Sequence, residues 1–170
     1  MGYEVFEDQL YKITNPGIRA WTKQKLKETP EHFWTDPASF SGKYHDGESR
    51  VEHIKRACVV GEHLITLYAL IPIQADMARS AILLHDCASF NDGGHVNPDH
   101  AELMAELIRD ENMGDIIISA ESKYYIAEAV ENHMAWWGMK TTDWRNSHLV
   151  TIVTILADYL STRKGITVEI

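Results

Sequence analysis

Histidine and aspartate recur in this chain at helical positions where apolar residues belong. His53 shares a stripe with Ala57, Val60, Leu64, Leu67 and Ile71, at spacings of three and four. His85 follows Ala78, Ala81 and Ile82 on one face, and Asp86 adjoins it. His100 lies over Leu103, Met104 and Leu107, and His133 over Ile126, Ala129 and Val130. Asp158 sits inside the apolar run from Ile155 to Leu160. Each has a plain reading by itself, as a hydrogen-bonded core histidine or as an aspartate that caps a helix or pairs with an arginine. Jointly they aim imidazole or carboxylate inward from five segments, where an unpaired polar group costs roughly 2–7 kcal/mol. A shared cation removes that cost, because neutral imidazole and ionised carboxylate are satisfied as its ligands.

The elements that would position these groups are helical. Periodicity of the helical kind dominates from residue 48 onward, and strand signals are scarce. Asn15-Pro16 reads as a cap followed by proline at the first helical position, with Pro30 stopping that helix near Thr29. Its Lys23, Lys25 and Lys27 are expected on a solvated face. Residues 30–47 are rich in Pro, Gly, Ser and Asp and read as an ordered loop, packed on the body through Phe33, Trp34, Phe40 and Tyr44. Helices follow at about 48–70, 74–87, 98–111, 120–135 and 146–163, and the tail 165–170 is a short strand or a frayed end. The expected fold is all-α, a compact arrangement of about five to seven helices. Residues 1–170 form one domain, with 1–32 as a helical extension and 33–163 as the core.

Sixteen Lys+Arg against 25 Asp+Glu give a net charge of −9, which argues against extended nucleic acid as a partner. Small anionic substrates remain compatible, and self-association is left open. The two cysteines, Cys58 and Cys87, form no C-x-x-C pair, so a reduced, cytoplasmic setting fits best. The acidic stretch Met1 to Leu10 lacks a secretory pattern. The apolar run Ala57 to Ile73 is too short and too interrupted to span a bilayer.

At Leu84-His85-Asp86 the pattern resembles the HD-domain metal-dependent phosphohydrolase superfamily. His53, His85-Asp86 and Asp158 fall in the order of its core motif, and His100 and His133 match the two additional histidines of its dinuclear members. Ala157 to Arg163 is similar to the family's last motif. The lead-in from Phe33 to His45 resembles that of small, often phage-associated HD proteins. The likeness covers about residues 33–163. Two departures fall at substrate-facing positions: Cys87-Ala88-Ser89 where many members have Ile-Gly-Lys, and Glu48-Ser49-Arg50 where Gly-Gly is common.

The resemblance implies two divalent transition metals (Fe, Mn, Zn, Ni or Co) bridged by Asp86. His53, His85 and Asp158 would serve one, and His100 and His133 the other. It implies hydrolysis of a phosphate ester of a nucleotide or similar small molecule. His45 is the candidate general acid and Lys43 a phosphate contact, or both are solvated loop residues. Arg56 and Arg163 either face phosphate or lie on the surface. Trp137, with Trp136, walls the site or belongs to the aromatic core. The six-ligand version of the fold also resembles mixed-valent di-iron oxygenases, and a non-catalytic metal-binding regulatory module is the third reading. His63 is read as packing or surface, and His32, His95 and His148 as loop or helix-start residues.

Overall fold

Helices in this protein begin where the sequence supplies caps. The computed structural model describes residues 2–38, 48–88, 99–110, 116, 118–137 and 144–163. After a 3-10 turn at Tyr3–Phe6 come α1 (Glu7–Tyr11) and α2 (Pro16–Glu28). Asn15 caps α2 by accepting the Ile18 N–H at 3.0 Å, with Pro16 at the first helical position. A second 3-10 turn, Glu31–Trp34, buries Phe33 and Trp34. Then follow α3 (Arg50–Leu67), α4 (Pro72–Leu84), α5 (His100–Arg109), α6 (Ala120–Asn132) and α7 (Leu149–Ser161), with 3-10 turns at His133–Trp137 and Trp144–Asn146. Ser49 and Glu52 close a capping box on α3. The fold is all-α, with seven α-helices among the described residues.

The hydrophobic α7 is the hub. It packs against α3, α4 and α6, while α5 lies on α6 and α2 on α4. Val150, Val153, Ile155 and Ala157 are fully buried on it, so its apolar surface meets neighbours on several sides. α3 comes close to α4 at Gly61, where a Cβ would stand 2.5 Å from Ile82 Cδ1. Asp76 ties the segment before α2 to α4. It accepts the Thr14 and Asn15 N–H groups at 3.0 and 2.7 Å and the Thr14 hydroxyl at 2.8 Å, and pairs with Arg79 at 3.1 Å.

Three expectations need correction. Lys25 is buried, not solvated, because its stem lies along the inward face of α2 while its ammonium reaches Glu28 at 3.5 Å. The stripe through His53 stops at Leu64: α3 ends at Leu67, which is exposed, as is Ile71. On α5 the buried face carries His100, Ala101, Met104, Ala105 and Ile108, leaving Leu103 and Leu107 exposed. His63 is exposed, and His148 starts α7 as its cap. The tail, and the packing of Phe40 and Tyr44, lie outside the described residues. No described helix is long and apolar enough to cross a membrane.

Candidate metal centre

Three helices of one length, α4, α6 and α7, each bring a polar ligand to the same end of the bundle. His85 and His133 are the C-cap residues of α4 and α6, and Asp158 lies in the last turn of α7. A helix C-terminus carries partial negative charge and unpaired carbonyls, which favours positive charge at these three ends. The histidines use those carbonyls. His85 Nδ1–H donates to Ile82 O and His133 Nδ1–H to Val130 O, both at 2.7 Å. The first turns of α3 and α5 add His53 and His100.

Those anchors fix which nitrogen faces inward. With Nδ1–H donated outward, His85 and His133 turn Nε2 lone pairs into the cluster. His53 is oriented in the same way by Ser161, whose hydroxyl donates to Asp158 O at 2.7 Å and accepts from His53 Nδ1 at 3.3 Å. His53 Nε2 then meets His85 Nε2 at 3.2 Å, and His100 Nε2 meets His133 Nε2 at 3.1 Å. Two facing lone pairs repel; a shared proton or a metal ion between them reverses the sign. Nitrogens each about 2.1 Å from one ion and near a right angle apart lie about 3 Å from each other, so the spacing fits ligation.

Asp86 stands between the two pairs. Its Oδ2 lies 3.9 Å from His53 Nε2 and 3.6 Å from His85 Nε2, while Oδ1 lies 3.4 Å from His100 Nε2 and 3.7 Å from His133 Nε2. Asp158 Oδ1 approaches His53 at 3.2 Å and His85 at 3.8 Å. All six side chains expected to gather do so, and His53, His85, Asp86, His100, His133 and Asp158 form overlapping groups that could hold a metal ion. The imidazoles and Asp158 are buried, and Asp86 is the most open, with 14 % of its side chain accessible.

Electrostatics keeps both carboxylates ionised and His133 neutral. Burial opposes ionisation of Asp86, but the charge of His85 and the hydrogen bond to His100 outweigh it and hold the carboxyl well below its ordinary range. Asp158, also against its burial, is brought down to about 2 by its hydrogen bond to His53 and the charge of His85. Burial, then the charge of His85, lowers His133 to about 4, so it stays neutral. His53 is raised despite its burial, because Asp158 accepts its hydrogen bond and adds negative charge beside it.

The remaining expected site residues that are described take partners outside the cluster. Arg56 is held by Glu48 at 3.2 Å. Arg163 lies over the Tyr159 ring, 3.9 Å from its centroid. Trp136 is half-exposed, not core, and packs on Tyr159 at 4.2 Å, next to Asp158. Lys43, His45, His95 and the Trp137 side chain lie outside the described residues.

Two contributors escaped the sequence reading. Ser161 follows Asp158 by three residues, so i,i+3 spacing was the available signal. Arg50 precedes His53 by three and is buried over the Phe33 ring at 5.1 Å. Burial lowers its pKa, opposed by the nearby carboxylates of Asp86 and Asp36. An arginine this close to a candidate ligand is an ordinary surface residue until Phe33 is folded over it. Compared with known proteins, the chain matches no family model, no curated protein and no solved structure.

Proposed function

We propose that this chain is a metal-dependent phosphohydrolase of the HD-domain kind, acting on a phosphate ester of a nucleotide or similar small molecule. The observation that carries the reading is Asp86, which turns one carboxylate oxygen to each of two histidine pairs. His53, His85 and Asp158 with Asp86 Oδ2 would hold one divalent ion, and His100 and His133 with Oδ1 a second. Imidazole-rich ligation favours transition metals such as Mn, Fe, Co, Ni or Zn over Mg. Bound ions of this type supply an activated water and neutralise phosphoryl charge.

The protein's own residues do the rest. Ser161 and the carbonyls of Ile82 and Val130 hold three of the four imidazoles, His53, His85 and His133, in one tautomer. Asp86, the most accessible member, marks the side from which substrate approaches. The ends of the segment carrying Lys43 and His45 are joined at the start of α3: Ala38 N–H donates to Glu48 O at 2.8 Å and Arg50 N–H to Asp36 O at 3.1 Å. That junction lies about one helical turn from His53. In this reading His45 protonates the leaving oxygen, while Lys43, Arg56, Arg163 and the buried Arg50 counter phosphate charge and Trp137 walls the substrate.

The test is a reaction panel on protein purified without chelator, with nucleotides and generic phosphodiesters, with and without Mn²⁺. Phosphate or nucleoside release that disappears in Asp86→Ala supports the proposal. Bound iron with dioxygen consumption and no phosphate product overturns it in favour of an oxygenase. Metal binding with neither reaction points to a regulatory module.

A further inference from the structure

A polar cleft lies at the other end of the bundle from the histidine cluster. α4, α6 and α7 span 13 residues each, about 18 Å, and their N-terminal ends surround a cleft of about 240 Å³. Ile73 and Ile118 give it apolar walls, and Tyr125, stacked on the His148 ring at 4.0 Å, gives it an aromatic one. Gln74, His148 and Glu121 supply polar groups, beside Asn15, Ser119 and Ser122.

The hydrogen bonds at Gln74 and His148 cannot all be made at once. His148 Nδ1 accepts the Val150 N–H at 3.3 Å as the cap of α7, so a neutral imidazole carries its hydrogen on Nε2. Gln74 Oε1 accepts the Ile71 N–H at 3.4 Å, which turns its amide nitrogen toward His148 Nε2, also at 3.4 Å. Two donors therefore face each other. Flipping the Gln74 amide moves the conflict to Ile71 without removing it. An acceptor placed in the cavity satisfies both donors, and the exposed Glu121 carboxylate, in the first turn of α6, stands on the same lining as an acceptor.

We propose that this cavity binds a small planar amide or lactam, its carbonyl oxygen taking the hydrogens of Gln74 and His148 and its N–H directed to Glu121. The site is independent of the metal centre, which occupies the opposite helix ends. The test is an ¹H–¹⁵N NMR titration of the full chain with benzamide, benzoate and benzylamine as probes. Benzamide is expected to bind in the millimolar range suited to its size, shifting signals of Gln74, Ile118, Tyr125 and His148, and to bind more tightly than either relative. Gln74→Leu removes one donor. His148→Asn removes the other but keeps a capping side chain. Each should weaken benzamide about tenfold. Shifts confined to the metal end, equal binding of all three probes, or unchanged affinity in folded Gln74→Leu would overturn the proposal.

Discussion

Replacing Ser161 with alanine removes one oxygen that touches the cluster only through His53 Nδ1, and the consequence is set by that ring. The hydroxyl is fully buried and is the acceptor for His53 Nδ1. Without it, the imidazole either keeps a buried, unpaired N–H, costing about 1–3 kcal/mol, or moves the hydrogen to Nε2. The second course points an N–H at His85 Nε2, 3.2 Å away, and at Asp158 Oδ1, also 3.2 Å away. That bond is good for the metal-free protein and blocks ligation. Loss of such an outer partner weakens metal binding about 10–100-fold, equivalent to about 1.4–2.8 kcal/mol. The assay is calorimetric titration of chelator-stripped protein with Mn²⁺, alongside Ser161→Thr, which keeps the hydroxyl. The alanine variant should lose affinity and the threonine variant recover it, even if its extra methyl lowers stability. Unchanged Mn²⁺ affinity in folded Ser161→Ala would refute the claim that Ser161 positions His53.

Three further expectations concern the frame around the site. Asp76→Ala strands two backbone N–H groups and part of Arg79, so it should cost about 3–5 kcal/mol and lower the melting temperature by about 10 °C. An unchanged melting curve would show that Asp76 is not the tie between α2 and α4. Ala69 sits at φ 51°, closing α3 with the Leu70 N–H bonded to Ile65 O at 3.1 Å. Ala69→Gly relieves that left-handed strain and should stabilise by about 1 kcal/mol, measured by denaturant unfolding. Burial pushes the Cys58 and Cys87 thiols up to about 12. Both thus stay protonated at pH 8, and a thiol reagent should label them about 1,000-fold more slowly than in the unfolded chain; equal rates would contradict this.

What was legible in the sequence is the part written in local pattern. His53, His85, Asp86, His100, His133 and Asp158 break the apolar periodicity of their helices, and the fold brings all six together. Asn15-Pro16 marked the start of α2 for the same local reason. What was not legible depends on contacts between distant segments. Lys25 looks solvated until its neighbours are placed around it, and Ser161 is one serine among many until it meets a ring 108 residues away. Leu103 and Leu107 fit a helical stripe as well as Ala101, Met104 and Ile108 do, and only the direction of α6 decides between the faces.

The proposed metal centre requires a cation at each histidine pair. Elemental analysis of the chain purified without chelator, beside Asp86→Ala, asks this most directly. Two transition-metal ions per chain in the unmodified protein, and a clear loss in the variant, are the expected result. Fewer than one ion per chain, even after incubation with Mn²⁺, Fe²⁺, Co²⁺, Ni²⁺ or Zn²⁺, would contradict it.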